Sequence, residues 1–412
     1  MTRILLLIPS RTYRTRDFVE AARALDVEVV VGTEHPSPIG DPSGGHSLQV
    51  SLDDAVEGSR AIVAFAREHP LDAVVPVDDG STLVAAAAAA ALGLAHNRFE
   101  AVAASRDKAR VRELLTRAGL NAPRFRTWPA DADPEEVPTA TFPVVVKPVD
   151  LSGSRGVIRA DDPDALAAAF ARVAAIVRAP DVCPPGSQPG RIIVEDFVPG
   201  VEVAVEGLLR AGRLEVLAIF DKPDPLDGPF FEETIYVTPS RLPVETRALI
   251  VRTTAAATRA IGLTEGPIHA EVRVNERGAC VLEVAARSIG GLCARTLRFG
   301  AGVPLEELII RHAAGLPIPS LERERAASGV MMLPIARAGT LREVRGREEA
   351  SAVPGIEGLT ITIPVGGRVV PLPEGDRYLG FMFARGERPE EVEAALREAW
   401  SRIEVIVDVA AD

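Results

Sequence analysis

Two glutamates that face each other across a short hairpin are the residues best placed for chemistry in this chain. The stretch Pro267–Gly291, PIHAEVRVNERGACVLEVAARSIGG, reads as strands Ile268–Asn275 and Ala279–Ala285 joined through Glu276-Arg277-Gly278. That spacing fits a three-residue loop with glycine in the left-handed position. In this register Asn275 faces Ala279, Arg273 faces Val281 and Glu271 faces Glu283. Strand alternation puts His269, Glu271, Arg273 and Asn275 on one face with Glu283. Ala270, Val272, Val274, Cys280, Leu282 and Val284 share the apolar face. Facing carboxylates repel, by up to about 1 kcal/mol on an exposed pair. A divalent cation reverses that sign, because carboxylates together with phosphate oxygens suit magnesium. Arg287, four residues beyond Glu283, then stands beside the phosphates. The competing reading is a solvated hairpin face with a chance glutamate pair.

Other segments carry weaker signals of the same kind. Phe142–Pro148, FPVVVKP, is a buried-type strand with one lysine, Lys147, which either snorkels at the strand end or meets an anion. LSGSRGV follows, and its Ser152, Gly153, Ser154 and Gly156 make a flexible loop rich in free N–H groups. Such loops cradle phosphates, although a plain hairpin turn has the same composition. The segment Lys222–Ser240 is long and irregular, with Phe230-Phe231-Glu232-Glu233 at its centre. A loop of that length inside a domain is commonly functional. Asp78 and Asp79 follow a strand end and either hold a ligand amine or cap the next helix.

The elements that must position these groups follow from pattern. Residues 1–100 alternate strand and helix: strands Arg3–Ile8, Val27–Val31 and Ala73–Val77, with helices Asp17–Leu25, Asp53–Glu68 and Thr82–Leu92. This is a small doubly wound α/β domain. Its strand ends carry Pro9-Ser10-Arg11 and Pro76–Gly80, and no glycine-rich dinucleotide fingerprint follows the first strand. Residues 101–140 read as a helical connector, with a helix opened by Ser105-Arg106-Asp107-Lys108 and a loop from Pro129 to Pro138. Residues 141–205 form a small subdomain and 206–330 a larger one that ends in the hairpin. Residues 331–412 form a closing domain of strands Val330–Ile335, Gly358–Pro364, Tyr378–Ala384 and Glu404–Val409 with one helix, Pro389–Ser401.

At 412 residues the chain holds several cores, and 47% apolar with 25% charged residues describes a globular protein. A net charge of −12 argues against nucleic acid or an anionic membrane as partner, but not against a nucleotide held by local cations and a metal. Cys183, Cys280 and Cys293 have no metal-ligand spacing and fit a reducing cytoplasm. Ile4–Ile8 is too short for a secretory signal, and Leu83–Ala95 is too short to span a bilayer.

Individually these signals are modest, but their order is specific. SRDKARVRELLTRAGLNAPRF, FPVVVKPVDLSGSRGV, VEDFVPGVEVAVEG, HAEVRV and VLEVAAR together resemble the ATP-grasp superfamily along most of the chain. With FDKPDPLDGPFFEETIYVTPS, the hairpin resembles the L-amino-acid ligase branch, which includes dipeptide-forming and carnosine-synthase-like enzymes. The resemblance implies an α/β ATP-grasp fold: an N-terminal doubly wound domain, a two-part antiparallel-sheet ATP-binding region and a small C-terminal α+β domain. It implies ATP between two sheets, with Lys108 and Lys147 on its phosphates or adenine and Ser152–Gly156 as a lid. Glu195, Asp196, Phe197 and Val198 would read adenine, with Glu202 on the ribose, and Leu282 would also belong to the nucleotide site. Glu271 and Glu283 would hold magnesium, with manganese as a substitute, and Arg287 would steady the transferring phosphoryl group. Catalysis would fall to Arg287, Lys147 and Glu283. The amino-acid substrates would meet Asp79, Glu233, His269, Arg287, Ser288 and Gly290. One position departs from the superfamily: Ala285 stands where many members carry a metal-binding Asn.

The implied reaction is a carboxylate–amine ligation through an acyl-phosphate, releasing ADP and phosphate. A phosphotransferase on the same scaffold, a nucleotide-binding protein without turnover and a biotin-carboxylase-like ligase are the alternatives. Expected partners are small carboxylates and amines, with a homodimer left open.

Overall fold

Continuous apolar runs at the start of the chain become a parallel sheet buried on both faces. In the computed structural model, which describes residues 2–10, 12–35, 46–134, 137, 141–184 and 186–408, four parallel strands lie in the order His46–Gln49, Glu28–Thr33, Arg3–Leu7 and Ala73–Pro76. Arg11, Val409 and part of the Pro129–Pro138 loop lie outside the described residues. Leu5 sits between Val30 and Val74 in register. The strand His46–Gln49, mostly exposed and polar, has no apolar pattern and was not expected from sequence. Asp54 caps the helix Ala55–Glu68 by accepting from the N–H groups of Val56 and Glu57. The helix after the last strand begins at Asp79 rather than Thr82, and Asp78 makes no side-chain cap.

Two antiparallel sheets follow. The smaller has the order Phe125–Trp128, Ile192–Asp196, Val144–Pro148 and Ile158–Ala160, and is backed by the helix Pro163–Val177. That helix starts where sequence chemistry directs: Asp162 accepts from Ala165 N–H, and proline occupies the first turn. Phe170, Val173 and Val177 pack it onto Val144, Val146 and Ile192.

The larger sheet has eight strands, in the order Gly278–Ala285, Gly266–Asn275, Val201–Arg210, Arg213–Asp221, Ile235–Thr238, Ala327–Leu333, Gly380–Gly386 and Ile356–Ile361. The boundary expected at 205/206 falls inside one of these strands, and the boundary expected at 330/331 inside another. Ile235–Thr238 lies in the segment read as an irregular loop; it pairs with Ala327–Leu333 from residue 235 to 238. The helix Val244–Ile261 covers the first strands through Ile250, Ala257 and Ile261. Strands Arg368–Val369, Gly339–Arg345 and Glu404–Asp408 make a separate small sheet.

The hairpin differs from its expected register. Asn275 pairs with Gly278 across a two-residue turn, Arg273 with Cys280 and Val272 with Val281. A bulge at Leu282 then restores Glu271 opposite Glu283. Cys280 and Leu282 therefore leave the apolar face, and Ala279 and Val281 join the core with Val272 and Val284. Among the described residues no helix is long and apolar enough to cross a membrane. Cys183, Cys280 and Cys293 are free thiols.

Candidate active site

A cavity of about 300 Å³ opens between the two antiparallel sheets, beyond the strand ends of the N-terminal domain. Lys108, Lys147, Ser152, Gly153, Ser154, Glu195, Asp196, Phe197, Val198, Glu202, Leu282 and Glu283 line it, as do Asp79, Glu233, His269, Glu271, Arg287 and Gly290. Two residues named from sequence stand back from it. Gly156 takes a positive φ of 75°, with Pro148 Cδ 2.9 Å from where a Cβ would lie, and donates its N–H to Pro373 O at 2.8 Å. Ser288 is buried and accepts from Arg14 Nη2 at 2.8 Å.

On the small-sheet side the charges form a closed set. Glu195 is 3% exposed and receives Arg112 Nε at 2.9 Å, Arg112 Nη2 at 3.1 Å and Lys147 Nζ at 2.6 Å. Burial opposes its charge, but Arg112 and Lys147 bring its pKa down to about 2. Arg112 also donates to Leu282 O, at 2.6 Å, which is the bulged residue of the hairpin. Lys108 opens the helix Lys108–Arg117, donates to Leu151 O and lies 3.4 Å from Glu283.

On the large-sheet side Lys222 Nζ is held by three carboxylates: Glu202 at 2.7 Å, Glu271 at 3.2 Å and Glu233. Burial opposes this ammonium, but Glu202, Glu233 and Glu271 raise its pKa well above the usual lysine value. Glu202, expected on a ribose, also receives Arg273 Nε at 2.7 Å. Arg273 in turn donates to Val198 O and Leu226 O and lies over the Phe197 ring. Glu202, Glu233 and Glu271 bring carboxylate oxygens within 4.8 Å of one another, a hard donor set that suits a hard cation. Asp79 and Glu233, the anions considered for a ligand ammonium, already hold Arg287, at 2.6 Å, and Lys222. Burial opposes the Asp79 charge, and Arg287 holds its pKa below the ordinary carboxylate value. His269 Nδ1 lies 3.2 Å from Glu206, a fully buried carboxylate whose pKa burial raises.

Sequence reasoning missed Lys222, Arg112, Tyr13, Tyr236 and the segment Asp376–Tyr378. A signal for the first was present. The chain has three lysines against 43 arginines; Lys108 and Lys147 line this cavity, and Lys222 is held by three of its lining carboxylates. The compact ammonium group thus occurs only around this cavity.

Matches to known families agree with the geometry. Residues 140–296 match the ATP-grasp domain, 19–96 the ATP-grasp N-terminal domain and 331–408 the L-amino acid ligase C-terminal domain 2. The chain belongs to the ATP-grasp ligase family. Within that family it lies in the L-amino-acid-ligase-like branch. An L-amino acid ligase structure from Bacillus licheniformis superposes with a TM-score of 0.81 at 26% identity, over 99% of each chain. Alanine–anticapsin ligase of Bacillus subtilis is 26% identical over 64% of this chain and 59% of its own length. The chain thus spans about three-fifths of that ligase. Carnosine synthase 1 of Gallus gallus is 32% identical over 37% of this chain and 16% of its own. The carboxyaminoimidazole ribonucleotide synthase of asperigillus clavatus, complexed with ATP, shares the fold with a TM-score of 0.74 at 17% identity over 98% of this chain and 99% of its own.

Proposed function

We propose that this ATP-grasp protein joins the carboxylate of one amino acid to the amine of a second amino acid or related amine, using ATP and releasing ADP and phosphate. The observation that carries the reading is the pairing of opposite charge surpluses across one cavity. Arg112 and Lys147 exceed Glu195 on one wall, and Glu202, Glu233 and Glu271 exceed Lys222 and Arg273 on the other. The cationic wall suits nucleotide phosphates and the anionic wall suits a divalent metal.

A carboxylate is a poor acylating agent because its leaving group would be an oxide. Transfer of the γ-phosphoryl group to it gives an acyl-phosphate, which an amine attacks with loss of phosphate. Glu271 and Glu283, opposite each other in the hairpin, would hold magnesium, which supplies charge neutralisation when bound. Glu202 and Glu233 stand close enough to Glu271 to share that task. Lys108 and Lys147 would bind phosphate oxygens, and Glu195–Val198 with Leu282 would border the base. Arg287, released from Asp79, would orient the reacting carboxylate. Ser152–Ser154, on the loop joining two small-sheet strands, would cover the site and exclude water. Such a protein would work in the cytoplasm.

An ADP-release screen over all pairs of amino acids with magnesium-ATP, products identified by mass, tests the reading. ADP release that requires two amino acids and yields their condensation product supports it. ADP release with one substrate alone, giving a phosphorylated product, replaces it with a phosphotransferase.

A further inference from the structure

The cavity's charges are unequal in one respect. Lys108, Lys147, Arg273 and Arg287 each hold a carboxylate within 3.4 Å. Arg377 lines the same cavity, and its one ion pair among the described residues is with its sequence neighbour Asp376, at 4.0 Å. Its side chain is 43% exposed, so it is neither a folded-in structural ion nor shielded from a ligand. The next residue, Tyr378, has a buried hydroxyl with no hydrogen-bond partner among the described residues. A buried polar group without a partner is rare unless a ligand or water supplies one.

The position of Arg377 separates it from the nucleotide end. The charges that act on the Tyr13 phenol include those of Arg377, Asp376 and Asp78. The Tyr13 and Tyr378 rings each meet Phe381, at 5.7 and 6.1 Å between centroids. Phe381 in turn lies against Gly291, where a Cβ would come within 2.7 Å of its ring. Tyr13, Gly291, Tyr378 and Phe381 thus pack together in one part of the cavity lining, to which Arg377, Asp78 and Asp79 also belong. In a ligase the amine adds to a face of the activated carbonyl carbon and phosphate leaves, so it enters through the part of the cavity that ATP does not fill. An acceptor there would meet Asp78 with its amine and Arg377 with its carboxylate.

We propose that Arg377 binds the α-carboxylate of the acceptor amino acid. The inference rests on the ligase reading above and adds to it a residue that selects the second substrate. A guanidinium offers two parallel N–H groups to a carboxylate and none of that match to a carboxamide.

The test compares the best acceptor amino acid from the screen with its α-carboxamide, in wild type, Arg377→Met and Arg377→Lys. In wild type the acid should exceed the amide in kcat/KM by about tenfold to hundredfold. In Arg377→Met that ratio should fall to near one through the acceptor KM, with the KM for ATP and for the donor within about twofold. Arg377→Lys should recover part of the preference. An unchanged ratio, or an equal loss for acid and amide, overturns the assignment. If no pair of amino acids releases ADP, the ligase reading fails on its own. Arg377 is then judged by the thermal shift that a mixture of L-amino acids gives with a non-hydrolysable ATP analogue. A shift lost in Arg377→Met keeps the carboxylate site, and the absence of any shift in wild type overturns it.

Discussion

The two walls of the cavity contain the same residue types in opposite proportion. On the small-sheet wall two cations, Arg112 and Lys147, surround one carboxylate, Glu195. On the large-sheet wall three carboxylates, Glu202, Glu233 and Glu271, surround Lys222, with Arg273 at the edge. Each wall is closely paired, so neither leaves a bare buried charge, which would cost several kcal/mol. What differs is the sign of the remainder. On the proposed reading, the surplus positive charge would seat phosphate and the surplus negative charge a metal. Pairing stabilises each wall without its ligand, and the imbalance would select which ligand comes.

The largest effect expected from disturbing this balance is at Glu195. Glu195→Gln leaves Arg112 and Lys147 buried without a counter-ion and should cost about 3–5 kcal/mol, read by denaturant unfolding. A loss below about 1 kcal/mol would show that the wall is not held by this pair. The pH dependence has a definite sign. The folded pKa of Glu195, about 2, lies below its ordinary 4.5. Its contribution is therefore complete above about 4.5 and disappears as pH falls toward 2. Wild type should lose stability through that acid window, and Glu195→Gln should lack this component.

Next is Glu283→Gln. Glu283 faces Glu271 across the hairpin and touches Lys108, so it joins the two walls. The substitution keeps size and strand pairing, and turnover should fall at least about hundredfold with an unchanged circular dichroism spectrum. Activity within a few-fold at saturating magnesium would remove Glu283 from the metal seat.

Glu233→Gln sharpens the comparison, because Glu233 can serve either the metal or the donor's ammonium. We expect a rise in the donor KM of about tenfold to hundredfold, matching a charged hydrogen bond of ~1.5–3 kcal/mol, with the KM for ATP nearly unchanged. A higher magnesium requirement with an unchanged donor KM would assign Glu233 to the metal and leave Asp79 for the ammonium.

The smallest effect is one of order rather than rate. Amides of Ser152–Gly156 should exchange faster without nucleotide than with a non-hydrolysable ATP analogue, measured by hydrogen exchange. Equal exchange in both states would take the lid role from this loop.

Much of the design is local and therefore legible in the chain. Period-two alternation in Ile268–Asn275 put His269, Glu271 and Arg273 on one face, and Lys147 stood out inside an apolar strand. The helix opened by Asp107 starts at Lys108, because an N-cap aspartate is a local signal. Other features depend on partners distant in sequence. The bulge that turns Leu282 into the cavity is decided by pairing across the hairpin and by Arg112, 170 residues away. Ile235–Thr238 looked like loop between prolines because four residues hold too little pattern, and the strand Ala327–Leu333 gives it its ladder. Arg112 sits in a helix that reads as charged surface, yet it is fully buried against Glu195. Lys222 opens the segment that reads as irregular, although lysine's rarity marks it. Residue type and spacing determine which groups are available and which face of an element they take. Only tertiary pairing decides which charges meet, because attraction between ions depends on distance through space and on exclusion of water, neither of which is written in sequence order.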